Sequence, residues 1–148
     1  MTITTPEMTR FLLSLDQAVD TVFSALKEGK RGETYIPRIP SAKMVDVASV
    51  LIGDRPIQTV FTGIRPGEKI HEILVSEEER YRTIEQGPFY AILPLLPELR
   101  RAEEVVQPLE DEYSSAHHVM DRQGVEALLR THRLMVENVP EGNQELLR

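Results

Sequence analysis

A small mixed α/β architecture is what this sequence predicts, on three observations. Short β-branched and aromatic runs alternate with stretches of helical periodicity as far as residue 75. The helical stretches carry start and stop signals, Ser14 with Gln17 at one end and Gly29 at the other. The connections are too short to hide another domain. At 148 residues the chain is about one domain, with length enough for a core.

Taken in order, Thr2-Ile3-Thr4-Thr5 and Phe11-Leu12-Leu13 read as short strands around the turn Pro6-Glu7-Met8. This opening reads as an entry in mid-fold rather than as the start of a domain. The helix that follows is the clearest element. Leu15, Ala18, Val19, Val22, Phe23 and Leu26 recur at helical spacing and form one continuous apolar stripe, expected to face the core. Asp16 and Asp20 fall on the other side. Residues 33–36 read as a strand, and Ser41 as the cap of a second helix burying Met44, Val47, Ala48 and Leu51. Residues 57–61 read as a strand that holds through Arg65, because Pro66 keeps the residue before it extended. Pro66 and Gly67 then suit the first positions of a third helix carrying Ile70, Ile73 and Leu74. Beyond Val75, Glu77-Glu78-Glu79-Arg80 is a solvated turn, and residues 81–84 and 89–93 read as two strands. Residues 94–112 are acidic and proline-punctuated, an extended arm. Asp121 caps a last helix with Val125, Leu128, Leu129 and His132, and residues 137–148 read as a frayed tail. The division drawn is residues 1–93 as the α/β part and 94–148 as arm, terminal helix and tail.

The chemistry concentrates in Gly63-Ile64-Arg65-Pro66-Gly67-Glu68-Lys69-Ile70-His71-Glu72. As a strand-to-helix turn, this segment sets the Arg65 guanidinium beside unpaired amides at a helix N-terminus, a corner that attracts phosphate or carboxylate. Glu68 would repel an anion right beside it. It is placed instead to cap the helix or to accept hydrogen bonds from sugar hydroxyls. An arginine and a carboxylate three residues apart fit a ligand with a phosphate at one end and a ribose next to it. The plainer reading of Arg65, a surface ion-pair residue, stays open on these grounds. A Walker phosphate loop is excluded, since Gly and Lys are not adjacent and no Ser or Thr follows. His71 with Glu68 and Glu72 falls short of the ligand count a metal needs, and reads as a surface histidine on a short helix. His117, His118 and His132 lack the spacing of a site.

Composition narrows the function classes. The formal net charge is −7, and residues 1–75 hold 9 basic and 9 acidic groups while residues 76–148 hold 8 and 15. An acidic half argues against wrapping a nucleic-acid backbone, whereas the balanced half can take an anionic small molecule. There are no cysteines, which excludes disulfides and thiolate chemistry and is compatible with the cytoplasm, the expected location. No stretch approaches the roughly 20 apolar residues of a membrane span. Residues 1–8 carry no signal-peptide pattern.

Four segments together point to a family. Met8-Thr9-Arg10-Phe11, Leu15-Asp16-Gln17-Ala18-Val19-Asp20, Ile36-Pro37-Arg38-Ile39-Pro40-Ser41 and the run from Gly63 to Glu72 resemble the C-terminal, substrate-binding part of extended short-chain dehydrogenases acting on nucleotide sugars. The resemblance is to the bacterial UDP-N-acetylglucosamine 4,6-dehydratase group of polysaccharide biosynthesis, some of whose members also epimerise. It covers about residues 2–93 and is thinner beyond, where Tyr113-Ser114-Ser115 and the last helix still match. It implies that Arg10 and Arg65 grip a UDP pyrophosphate and that Glu68 meets the ribose. It also implies a UDP-sugar substrate, a Rossmann cofactor domain as partner and assembly into a homo-oligomer.

The sequence departs from that family in one large respect. It has no Gly-x-x-Gly-x-x-Gly and no Tyr-x-x-x-Lys pair. Hydride transfer needs a bound nicotinamide and a proton acceptor, so no cofactor is expected on this chain, with NAD(P) belonging to the complete enzyme. The Rossmann domain is expected to be absent and the chain to be inactive alone. Two readings follow: the UDP-sugar-binding portion of a dehydratase or epimerase, or a stand-alone, non-enzymatic UDP-sugar-binding or protein-interaction module. An adjacent reading frame encoding a Rossmann domain would favour the first.

Overall fold

A computed structural model describes residues 1–99 and 109–138 of the chain. Its first helix starts as the sequence predicts. Ser14 Oγ accepts from the Gln17 amide at 3.2 Å, and Gln17 Oε1 accepts from the Ser14 amide at 3.0 Å. Helix α1 then runs Leu15–Glu28, and the Gly29 amide closes it on Ala25 O. The stripe, however, faces outwards. Leu15 is 80%, Phe23 65% and Leu26 77% exposed, Val19 and Val22 are exposed too, and α1 buries no residue. Its half-buried side is the small and polar one of Gln17, Ala18, Thr21, Ser24 and Ala25, and it packs against strand β3 (Thr34–Pro37). Periodicity fixes which residues share a face but not which layer covers that face, so the expected core packing of this stripe is not what the fold shows.

The core lies around the second helix. Ser41 is no cap: it belongs to strand β4 (Ser41–Lys43), which leads straight into α2 (Met44–Ile52) with Lys43 at the cap position. Ser41 is buried because it pairs across to Phe11 and donates its hydroxyl to His117 O at 3.2 Å. Val47 and Val50 of α2 meet Val125 and Leu129 of helix α3 (Arg122–Thr131), with Ala42 and Met135. Leu12, Met44, Leu51 and Leu128 pack around that cluster. Asp121 caps α3 as predicted, its carboxylate accepting from the Gly124 amide at 2.8 Å.

The strands of the described residues form four small sheets. Strand β4 is central in one, antiparallel to β2 (Thr9–Phe11) and parallel to β10 (Val119–Met120). Strand β8 (Phe89–Ile92) is central in a second, between β3 and β7 (Thr83–Gln86). Gly87 at φ +57° and Pro88 join β7 to β8 as the two-residue loop of a II′ hairpin requires. The strand expected at 81–84 starts only at Thr83, because Arg80–Arg82 is a 3₁₀ turn whose carbonyls and side chains hold the hairpin base. Strand β1 (Thr2–Ile3) runs parallel to β5 (Val60–Phe61), and β6 (Ile73–Val75) runs antiparallel to β9 (Tyr113–Ser114).

The segment from 57 to 75 departs most from expectation. The strand holds only at Val60–Phe61, and no helix follows Pro66; Ile73 and Leu74 lie in β6 instead. The order through residue 75 therefore ends in a strand, with β4 added before α2. In the expected arm, Pro97–Leu99 is a 3₁₀ turn, while residues 100–108 and most of the expected tail lie outside the described residues.

Candidate ligand-binding turn

The turn is built on the first two strands. The Thr62 and Gly63 amides donate to Ile3 O and Thr4 O at 2.9 and 3.0 Å, extending the β1–β5 pairing. Gly63 then adopts φ +78°, a backbone region a side chain resists, and the ladder ends. Pro66 sets φ at the first corner of the next turn and Gly67 takes φ +82° at the second, the combination of a type II turn. The Glu68 amide closes it on Arg65 O at 3.0 Å. A helix would need both residues on the right-handed side, which is why Pro66-Gly67 turns the chain here and starts no helix.

Glu68 fixes the turn with its side chain. Oε2 accepts from the Arg65 amide at 3.1 Å and Oε1 accepts from the Thr4 hydroxyl at 2.8 Å. These bonds, the Thr4 hydroxyl first and the Arg65 amide next, hold its carboxyl below the usual glutamate range, and the Arg65 and Arg10 charges add to this. The Arg65 side chain is exposed and makes no hydrogen bond or ion pair among the described residues. The ion-pair reading of Arg65 is therefore not what the structure shows. Among the described residues no helix N-terminus stands beside it, so the expected dipole of a helix is not there to add to the side-chain charge.

Arg10 is occupied differently. It donates to Thr9 O at 2.6 Å, Ile70 O at 3.1 Å and Lys69 O at 2.8 Å, and its Nε lies 3.6 Å from Glu72 Oε1. Its guanidinium thus holds main-chain carbonyls of the turn in place. The structure brings Arg10, Glu68 and the backbone of Arg65 together, with Arg10 serving as the fastening.

His71 is not a surface residue on a helix. It is half-buried in the turn, its Nδ1 2.8 Å from the Thr9 hydroxyl. The Thr9 hydroxyl lies 2.7 Å from Ser115 Oγ, and Ser115 Oγ accepts from the Glu72 amide at 2.8 Å. Sequence reasoning assigns no site role to Thr4, Thr9 or Ser115. Ser115 is 43 positions from Glu72 and 106 from Thr9, so no local pattern connects them. Among the described residues no group of His and carboxylates is placed to hold a metal.

A broad recess of about 810 Å³ lies elsewhere, between the β7–β8 hairpin and residues 109–118. Glu85, Glu110, Asp111 and Glu112 line it beside Tyr90 and Tyr113. Its size suits a ligand, but its charge is of the wrong sign for a pyrophosphate.

Residues 1–94 match the family described as Polysaccharide biosynthesis protein. The chain belongs to that family. A UDP-N-acetylglucosamine 4,6-dehydratase (inverting) of Campylobacter jejuni is 41% identical over 92 residues, 62% of this chain and 27% of that protein. A UDP-glucose 4-epimerase of Rickettsia felis is 38% identical over 94 residues, 62% of this chain and 28% of that protein. The X-ray structure of Pen from Bacillus thuringiensis superposes with a TM-score of 0.78 at 26% identity, covering 91% of this chain and 42% of that one. The chain thus spans about a quarter of the curated relatives it matches. The resemblance carried by the Arg10 and Arg65 motifs is borne out, and so is the mixed α/β fold. The Arg65–Glu68 turn lies inside the region matched to the family, and Ser115 lies beyond it. Among the described residues no helix is long and apolar enough to cross a membrane.

Proposed function

We propose that this chain is the UDP-sugar-binding portion of a nucleotide-sugar 4,6-dehydratase or epimerase of surface polysaccharide biosynthesis. Residues 1–93 carry the turn, and Ser115 beyond them ties to its end at Glu72. The observation that carries the reading is an exposed Arg65 guanidinium, with no hydrogen bond or ion pair among the described residues, on a turn already closed by Glu68. Arg65 offers a two-pronged contact to the pyrophosphate. Arg10 adds its remaining donor capacity while it holds the turn. Each Glu68 oxygen keeps a second lone pair, which accepts from the ribose hydroxyls.

The partners of this reading are a UDP-sugar, a Rossmann domain that brings NAD(P), and further copies of the chain, all in the cytoplasm. The described residues do not themselves fit a dinucleotide. Their three helices start at Ser14, Lys43 and Asp121, and none opens from a glycine cradle that would let a pyrophosphate approach the backbone. Hydride transfer therefore falls to the partner domain, and the chain alone is expected to be inactive.

Calorimetric titration with UDP, uridine and pyrophosphate tests the reading. A charge-assisted hydrogen bond contributes roughly 1.5–3 kcal/mol, so Arg65→Ala weakens UDP binding about ten- to a hundredfold. Arg65→Lys restores only part of the loss, since an ammonium keeps the charge without the fork. Glu68→Gln weakens UDP and leaves pyrophosphate nearly unchanged. Equal UDP affinity of the folded native protein and Arg65→Ala would sink the assignment.

A further inference from the structure

We propose that Ser115, acting through Thr9 and His71, is a positioning latch for the Arg65–Glu68 turn, so that a residue beyond the family match sets the shape of the ligand site. This deepens the proposed function and rests on its reading of the turn. Ser115 and Thr9 are 0% and 2% exposed, which keeps both hydroxyls out of reach of any substrate. What they touch is the turn and its supports. Ser115 holds Glu72 from both sides, its hydroxyl accepting from the Glu72 amide at 2.8 Å and its own amide donating to Glu72 O at 2.8 Å. The Thr9 amide donates to Ile70 O at 3.0 Å, and the Thr9 hydroxyl meets His71 Nδ1. Residues 70, 71 and 72 are thus each tied to the Thr9–Ser115 pair.

The hydroxyl chain closes with the proton on either ring nitrogen of His71. When His71 Nδ1 carries a proton, it donates to Thr9 Oγ1, and the Thr9 hydroxyl donates to Ser115 Oγ. The Ser115 hydroxyl then donates to Thr9 O at 3.3 Å while its oxygen still accepts from the Glu72 amide. Both hydroxyl protons in the chain then have acceptors. Arg10 reaches the same place from the other side, bonding Thr9 O and the carbonyls of Lys69 and Ile70. Between them these groups fix the end of the turn from which Glu68 and Arg65 project. Loosening that end frees the turn without touching either ligand residue.

The test is hydrogen exchange on the native protein, Ser115→Ala, Thr9→Val and Thr9→Ser, followed by UDP titration of each. Amides in β8 and α3 serve as internal references. Ser115→Ala leaves the Glu72 amide and the Thr9 hydroxyl short of a buried partner, so the Gly63 and Glu68 amides, which Ser115 does not touch, should exchange about tenfold faster or more. The reference amides should stay unchanged. Thr9→Val should do the same, and Thr9→Ser, which keeps the hydroxyl, should restore native exchange. UDP affinity should fall severalfold in the first two variants and recover in the third. Unchanged exchange at Gly63 and Glu68, or an equal rise in every reference amide, overturns the latch. The exchange readout needs no ligand, so a native protein that fails to bind UDP would sink the proposed function while the latch is judged separately.

Discussion

Glu68 closes the turn with its side chain. Its carboxylate accepts from the Thr4 hydroxyl and the Arg65 amide, and both bonds favour the charged form. Its pKa in the folded chain is lowered, so its contribution to stability is fully present above the unfolded value. That contribution is lost as pH falls through the folded value. Thr4→Val removes the leading cause and should move the Glu68 titration, followed by carboxyl NMR, back toward ordinary glutamate. An unmoved titration would show that the hydroxyl does not set it. The motifs that hold Arg10 and Arg65–Glu68 are legible in the sequence because each is short and contiguous. Thr4 and Ser115 are not, because their roles exist only once distant strands are paired. The secondary structure of the turn is ambiguous in the sequence because Pro66 suits both a helix start and a type II corner. Gly67, with its positive φ, settles it in favour of the corner.

Helices α1 and α3 show how far periodicity carries an argument. Both have clear stripes and side-chain caps in the sequence, and both form where expected. Only α3 buries its stripe. Leu129 is 6% exposed against Val47 and Val50 of α2, whereas Leu26 of α1 is 77% exposed. Leu129→Ala should therefore cost about 2–5 kcal/mol in denaturant unfolding. Leu26→Ser and Phe23→Ser should cost less than about 0.5 kcal/mol each, as exposed positions do. The same two substitutions should sharply reduce self-association and dye binding, because burying a Leu or Phe is worth roughly 1.5–3 kcal/mol and the stripe offers several such side chains to any surface that covers it. A monomeric native protein that binds no dye, measured by sedimentation, would contradict this. The outward stripe leaves an apolar face on the described chain. It is the helix expected to be core that supplies that face.

At the scale of the molecule, the two ends of the described chain share one framework. Strand β9 pairs with β6, β10 pairs with β4, and α3 completes the core of α2. A chain cut after residue 94 keeps the whole family match yet loses Val125, Leu129 and the Ser115 contacts. It should lack a cooperative unfolding transition by circular dichroism, and a native-like transition would show that the core does not need the last helix. Helices α1 and α3 are legible in the sequence, whereas the helix expected after Pro66 does not form, and the long-range pairings leave no trace because two-residue strands carry no pattern of their own. UDP binding at the Arg65–Glu68 turn is put to the test by titrating the isotope-labelled native protein with UDP and following amide chemical shifts. Shifts at Thr4, Arg10 and residues 63–72, saturating together, are the expected result. Saturating shifts centred instead on Glu85, Tyr90 and residues 109–118, around the acidic recess, would contradict it.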